Sequence, residues 1–291
     1  MTVISVHCRN SMKSNPVGWI LLILIFAACN TSENTGTVSG SQNIEKHFNL
    51  AWADSSYWDD GKAEVAIYSA TRNIYRKDRN FESTLVTVAE EFNRRNNVKT
   101  DDYSRKDLFR VMKYHAFARI PTDNYPYHFS TSIFLRRENP LLLHKMTSSS
   151  QEWCGNTFKE FNADGKSLKL QFSSYWDNEG SGSEEFDNDA LFEDQLGYTL
   201  RSLRFKNGLR FKAKVLNSQI SNKVGTPKFY TADFVVSESD SSFIVSVDLD
   251  QDKQNRYEFR KEYPNVMISQ TTWDKRNLNL LKLSRYAYWQ N

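Results

Sequence analysis

The sequence predicts a mainly β protein, an antiparallel sheet forming an incomplete barrel or a sandwich, with one or two short helices. Three observations lead there. Apolar and polar residues alternate with period two in many short segments, the mark of half-buried strands. Asp-Gly and Asn-Gly pairs fall among those segments, and such pairs suit two-residue hairpin turns. Helical patterning is confined to one short stretch. Dense short strands with little helix build sandwiches and open, curved barrels. The favoured version is an incomplete barrel with a helix lying over its mouth.

Each element has its own warrant. Ala63, Val65 and Ile67 alternate with Glu64 and Ala66. Leu168, Leu170 and Phe172 alternate with Lys169 and Gln171. Phe243, Val245, Val247 and Leu249 alternate with Ile244, Ser246 and Asp248. Further strands are expected over 83–90, 108–118, 126–136, 141–150, 153–161, 209–219, 228–236, 255–261, 265–273 and 278–288. Hairpin turns of type I′ are expected at Asp60-Gly61, Asp164-Gly165 and Asn207-Gly208. The last is flanked by Leu203-Arg204-Phe205 and Leu209-Arg210-Phe211. Ala190 to Leu196 reads as a short helix capped by Asp189. Asp177 to Asp189 holds six acids and no base. It reads as a solvated connection and as a candidate sub-boundary in an otherwise single β-rich domain, 44–291.

The N-terminal segment carries an address. Val17 to Ala28 is apolar and uncharged, with Arg9 and Lys13 before it. That run is shorter than the roughly 20 residues a membrane-spanning helix needs. A cationic start, a short apolar run and small residues at its end make an export signal, 1–28. A start at Met12 would make the signal more compact. Ala27-Ala28-Cys29 resembles the lipobox of bacterial lipoproteins, with Phe26 where leucine is usual. The resemblance implies cleavage before Cys29 and acyl chains, palmitate among them, on its sulfur. Residues 29–43, rich in Ser, Thr, Asn and Gly, would then be a flexible tether. Asn30 follows the cysteine instead of a retention aspartate, so the expectation is an outer-membrane anchor facing the periplasm.

Composition narrows the partners. Aromatics make up 14 % of the chain, and glycine and proline are few, 11 and 6. This is the composition of a folded protein. With Arg9 and Lys13 removed in the signal, 36 basic residues face 35 acidic ones. That balance argues against a nucleic-acid partner, which needs a basic excess. Cys8 leaves with the signal and Cys29 takes the lipid, so Cys154 stands alone and no intrachain disulfide is expected.

The most distinctive run of the mature chain is Gln151-Glu152-Trp153-Cys154-Gly155. A nucleophilic Cys154 needs a neighbouring base or helix N-terminus. His115, His128 and His144 are the nearest bases in sequence, and no spacing couples them to it. The favoured reading is a strand whose Trp153 and Cys154 face the core, while Gln151 and Glu152 find partners at its end. Asp248-Leu249-Asp250-Gln251-Asp252 starts like a calcium loop. It then has Lys253 and Phe259 where Gly and Glu are required, so it reads as a charged hairpin turn. Tyr125-Pro126-Tyr127-His128-Phe129 and Tyr286-Ala287-Tyr288-Trp289 either stack on a ligand or pair across strands. No hydrolase, metalloprotease, P-loop or dinucleotide motif is present, and no cofactor or metal is expected.

The Gln-Glu-Trp-Cys-Gly run also resembles a family of uncharacterised bacterial lipoproteins. Trp58 followed by Gly61-Lys62-Ala63-Glu64, Leu85-Val86-Thr87 with Glu90-Glu91-Phe92, Val98-Lys99-Thr100-Asp101, Tyr125-Pro126-Tyr127 and Tyr288-Trp289 agree with it. Members often carry the label "septum formation inhibitor Maf". This chain lacks the Ser-x-Ser-Pro-Arg-Arg motif of true Maf pyrophosphatases and has an export signal instead. The resemblance implies no activity or catalytic residue. The expected function is non-enzymatic: a lipid-anchored module binding an apolar or envelope-derived ligand. The alternative is a docking subunit of an envelope complex, and the third reading is an enzyme built on Cys154.

Overall fold

The structure, a computed structural model, describes residues 42–290. The signal 1–28, Cys29 and nearly all of the 29–43 tether lie outside the described residues. A short helix α1, Gln42–Glu45, is followed by two 3-10 turns, Leu50–Asp54 and Ser56–Trp58. The first strands are β1 Ala63–Ile74, β2 Lys77–Asn93, β3 Val98–Lys99 and β4 Leu108–Ile120. Next come β5 Tyr127–Arg136, β6 Leu143–Glu152, β7 Gly155–Asp164, β8 Ser167–Ser174 and β9 Ser181–Asp187. After β10, Leu191–Phe192, comes a helical passage with α2, Leu196–Thr199, at its centre. The chain continues with β11 Arg210–Leu216, β12 Phe229–Glu238 and β13 Ser242–Asp250. It finishes with β14 Lys253–Arg260, β15 Met267–Thr271 and β16 Asn277–Tyr286.

These strands form one sheet in the order β10 to β16, then β1, β2 and β4 to β9, with β3 attached to β2. Consecutive strands pair antiparallel, apart from the short parallel pair β10–β11. The last strand lies beside the first, Tyr286 opposite Ala63. β9 and β10 end the order without pairing to each other, so the sheet is not closed into a barrel. The expected fold class is therefore the one observed. Its strands follow the period-two pattern because one face is buried: Ala66 and Tyr68 of β1, Leu85 of β2, Met112 and Tyr114 of β4 and Ile133 of β5 enter one core. Leu85, Met112 and Ile133, fully buried, contribute about 1.5–3 kcal/mol each.

The helical passage occupies that inner face. It begins at Glu193, three residues later than the sequence suggests, and runs to Ser202 as 3-10, α and 3-10 turns. Phe192 precedes it, and Phe192 N donates to Gln195 Oε1 at 3.1 Å. Asp189 is not its cap; it takes a bond from Lys214 Nζ at 2.7 Å. A helix this short has no stability of its own and survives by packing. Leu196, Tyr198 and Leu200 are wholly buried. A Cβ on Gly197 would lie 2.7 Å from the Tyr114 hydroxyl, so only glycine fits that approach. The helix is thus a filling of the sheet's inner face and not a cover over a mouth.

Several turns differ from expectation. Asp60-Gly61 lies in the bend that leads into β1, and joins no hairpin. Asn207-Gly208 is a turn, but Leu203 before it makes only an isolated bridge to Phe48. At the β7–β8 hairpin Asp164 still pairs with Ser167, so Gly165 and Lys166 form the turn. The type I′ signature, positive φ at both central residues, occurs at Tyr75 (55°) and Arg76 (62°) between β1 and β2. Within the acidic stretch 181–187 is not a connection: it is β9, hydrogen-bonded along β8. The Asp250–Lys253 pairing closes the β13–β14 hairpin where a charged turn was expected.

Candidate ligand-binding site

β1 carries a charged residue toward each end of the inner face. Near its start, Glu64 takes two bonds from Arg201, at 2.8 and 2.9 Å. Both residues are 3 % exposed. Arg201 also donates to Pro264 O at 3.0 Å and lies over the Trp52 and Trp58 rings. Burial opposes the Arg201 charge, but Glu64 beside it holds the guanidinium above its ordinary value. The pair at this end is buried and charge-matched.

The other end is built differently. The β1–β2 turn, the 121–126 segment, the β6–β7 turn and the segment after β8 all lie there, because the strands they join are antiparallel neighbours. Together they bring Tyr75, Tyr125, Tyr127, Trp153, Tyr175 and Trp176 to one rim. Tyr125 lies between Trp153 and Tyr127, stacked on the first at 5.8 Å and tilted against the second at 5.7 Å. Tyr127 stacks on Phe129 at 6.1 Å, and its hydroxyl meets that of Tyr75. The 121–126 segment is pinned by Asp123, which accepts from Lys77 and Arg79 at 2.8 Å. Those two cations hold the Asp123 carboxyl well below its ordinary range.

Loop 217–226, between β11 and β12, covers the inner face at this end. Its backbone carbonyls accept from the sheet side at five points. Ser148 Oγ donates to Gln219 O at 3.3 Å and Arg72 Nη2 to Ile220 O at 2.8 Å. Thr157 Oγ1 and Trp176 Nε1 donate to Asn222 O at 2.8 and 2.7 Å. Lys159 Nζ donates to Lys223 O at 3.0 Å. The start of the loop is fastened to the helical passage: Ser218 N donates to Glu193 and Gln219 N to Asp194, at 3.0 and 2.6 Å. Arg276 balances those two acids, 3.2 Å from Glu193 and 3.8 Å from Asp194.

A cavity of about 100 Å³ remains behind the loop, lined by Phe81, Leu85, Ile120, Phe129, Ile220 and Leu278 with Arg72, Asp194 and Arg276. An open depression of about 390 Å³ lies outside it, between Tyr75, Tyr127, Trp176, Asn222 and Lys223. Arg72 and Phe129 line both. The Arg72 guanidinium sits 4.7 Å over the Phe129 ring. Arg72, Lys159 and Lys223 form no ion pair among the described residues. Burial lowers Arg72 to about 10 and Lys159 to about 8. Ser150 Oγ, facing inward next to Phe129 and Thr157, is buried without a partner.

The segment singled out in the sequence belongs to this rim. Glu152 and Gly155 pair, so Trp153 and Cys154 form the two-residue turn between β6 and β7. They do not face the core: Trp153 is 78 % exposed, and Cys154 is exposed too. The reason is register, since a two-residue turn takes both side chains out of the sheet's alternation. Cys154 Sγ contacts the Tyr125 hydroxyl at 3.0 Å, and His128 stands on the neighbouring strand, paired with Gln151. His115 bonds Ser132 and His144 bonds Asn97. Gln151 is exposed, and Glu152 Oε1 accepts from Asn222 in the covering loop at 3.0 Å. A Cβ on Gly155 would lie 2.3 Å from the Tyr175 ring, so glycine lets that ring lie over the hairpin. Of the aromatic runs, Tyr125, Tyr127 and Phe129 reach the site. Tyr286, Tyr288 and Trp289 are exposed at the end of β16. Sequence reasoning missed Arg72, Lys159 and Trp176; Arg72 and Lys159 carried one signal, charge at an inward position of a strand.

Among known proteins no family model and no curated relative matches the chain. Two solved structures are similar in fold. One is a β-barrel-like protein of the domain of unknown function DUF1849 from Brucella abortus, 8 % identical, TM-score 0.47, covering 77 % of this chain and 98 % of that one. The other is a DUF1089 family protein from Pseudomonas aeruginosa, 14 % identical, TM-score 0.37, covering 62 % of this chain and 87 % of that one. These are likenesses of β architecture.

Proposed function

We propose that the protein is a non-enzymatic binding module that takes a small amphipathic ligand at the aromatic-rimmed end of its open sheet. One observation carries this reading: an aromatic-lined depression and an inner cavity share Arg72 and Phe129, at one end of a body filled elsewhere by the helical passage. Pockets that combine apolar walls with a few convergent polar groups are the usual form of small-molecule sites. The ligand is smaller and more polar at one end than a deep, wholly apolar cavity would hold. The export signal and Cys29 support a lipid-anchored protein of the cell envelope, facing the periplasm from the outer membrane, which gives such a ligand an envelope origin. Cys154 has a tyrosine hydroxyl as its hydrogen-bond partner among the described residues, which gives little support to a nucleophile.

Titration of the purified intact chain with octanol and octanoate, followed by tryptophan emission and calorimetry, tests the reading. One-to-one binding of at least one compound is expected, and Ile220→Trp, which fills the cavity, should abolish it. No binding of either compound sinks the proposal. The alternative, docking on an envelope complex, draws on Leu281, Tyr286, Tyr288 and Trp289, large apolar side chains exposed on and after β16. Crosslinking in cells through position 281 should then recover one dominant partner.

A further inference from the structure

We infer that Arg72 reads a negative charge on the ligand: the occupant of this end is an anionic amphiphile whose carboxylate or phosphate head lies on the Arg72 guanidinium while its apolar part lies along Phe129. The inference rests on the binding reading above and adds the ligand's charge. Its first support is an imbalance. The second arginine that lines the cavity, Arg276, is neutralised on the spot: it lies 3.0 Å from Asp274 and within 4 Å of Glu193 and Asp194. Among the described residues Arg72 has a single acceptor, the Ile220 carbonyl, for a group with five donor hydrogens. A guanidinium fork matches a carboxylate or a phosphate with two parallel bonds, and such charge-assisted bonds are the strong ones.

The second support is that two lysines at the same loop also lack an ion pair among the described residues. Lys159, 1 % exposed, gives its ammonium only to the Lys223 carbonyl. Lys223 itself stands 5.3 Å over the Trp176 ring at the edge of the depression. Three cations without an ion pair among the described residues therefore converge on one loop and one opening, where the acids are otherwise engaged: Asp194 accepts from Gln219 N, Glu179 from Val224 N and Glu152 from Asn222. Burying unpaired charge is costly, and an anion between them offsets that cost. The third support is Ser150 Oγ, a buried hydroxyl with no partner on the same inward face. Phe129, under the guanidinium, supplies an apolar surface that fits the chain next to the head and not a fully hydrated ion.

The test compares octanoate, octyl phosphate, octanol and octylammonium, with acetate and inorganic phosphate as heads without chains, on the intact protein by calorimetry. Octanoate or octyl phosphate should bind roughly 10- to 100-fold tighter than octanol, the range of one strong charge-assisted pair, and octylammonium should bind weakest. Arg72→Gln should remove the preference, bringing octanoate to within about twofold of octanol on the same variant, with a cooperative urea transition reporting that the variant is folded. Arg72→Lys should keep part of the preference. Equal binding of octanol and octanoate to the parent protein overturns this inference and leaves the binding reading standing. A preference that survives Arg72→Gln overturns it too. Inorganic phosphate binding as tightly as octyl phosphate overturns the amphiphile in favour of a free anion. If no octyl compound binds, both readings fall together.

Discussion

Glu64 and Arg72 stand eight residues apart on β1, roughly 26 Å along an extended strand, and both face inward. Glu64 meets a buried arginine with two bonds, under tryptophan rings and behind a filled core. Arg72 meets a backbone carbonyl, beside a cavity and an aromatic opening. One strand thus presents a closed ion pair at one end and an open cation at the other. A matched pair fixes a structure, because neither partner can leave without stranding the other. An unmatched cation held by a carbonyl is fixed only until a better acceptor arrives.

The strongest way to break the comparison is to open the matched end. Glu64→Leu should cost about 3–5 kcal/mol by leaving the Arg201 charge buried and uncompensated, measured by urea unfolding. The double variant Glu64→Leu with Arg201→Met should recover most of that loss. Arg72→Gln should cost less than about 1 kcal/mol in the same assay, since it strands no charge. If the two single variants were equally destabilised, the contrast between the ends would vanish.

Next in size is the pH response of Lys159. Its folded value, about 8, lies below the ordinary lysine value of 10.5. A depressed lysine costs stability wherever both states are protonated, so the cost is complete below pH 8. It is relieved as pH rises from 8 to 10.5, where the unfolded chain binds the extra proton. Lys159→Met should therefore raise stability at pH 7, by up to roughly 3 kcal/mol. The difference between parent and variant should shrink steadily across that window. A difference that stays flat from pH 7 to 10.5 would mean that the ammonium is not desolvated.

The smallest effect belongs to the rim. Arg76 holds a left-handed φ of 62° at the β1–β2 turn, a conformation that costs a side chain energy and glycine none. Arg76→Gly should stabilise the protein by about 0.5–1 kcal/mol in thermal unfolding, with the Tyr75 ring left in place. Unchanged or lowered stability would show that the turn carries no strain.

The strands were legible because one buried face imposes period two, as at Leu168, Leu170 and Phe172 in β8. Turns were legible only where the usual residues make them. Tyr75-Arg76 takes the type I′ geometry without Asn or Gly, because the eleven β1–β2 pairs that close on it enforce the register. Trp153-Cys154 is a turn for a similar reason: eight β6–β7 pairs close on it, and neither residue is a turn former. The rim of the candidate site was partly legible, through Tyr125, Tyr127 and the Gln151–Gly155 run, though the expected inward Trp153 and Cys154 form its outer turn. Arg72, Ser148, Thr157, Lys159 and Trp176 are scattered over a hundred positions, and only the backbone of loop 217–226 unites them. Hydrogen bonds to carbonyls leave no trace in the identity of the residues that accept them.

The seam between β1 and β16 has a consequence for biogenesis. Tyr286 pairs with Ala63 and Asn277 with Thr71, so the strand made first waits for the strand made last. Until some two hundred intervening residues have emerged, the Ala63–Ile74 edge has no neighbour on that side and offers its amides to any passing chain. A ribosome stalled before residue 277 would leave a nascent polypeptide with that edge uncovered, a natural ward of holdases and a natural target of proteases.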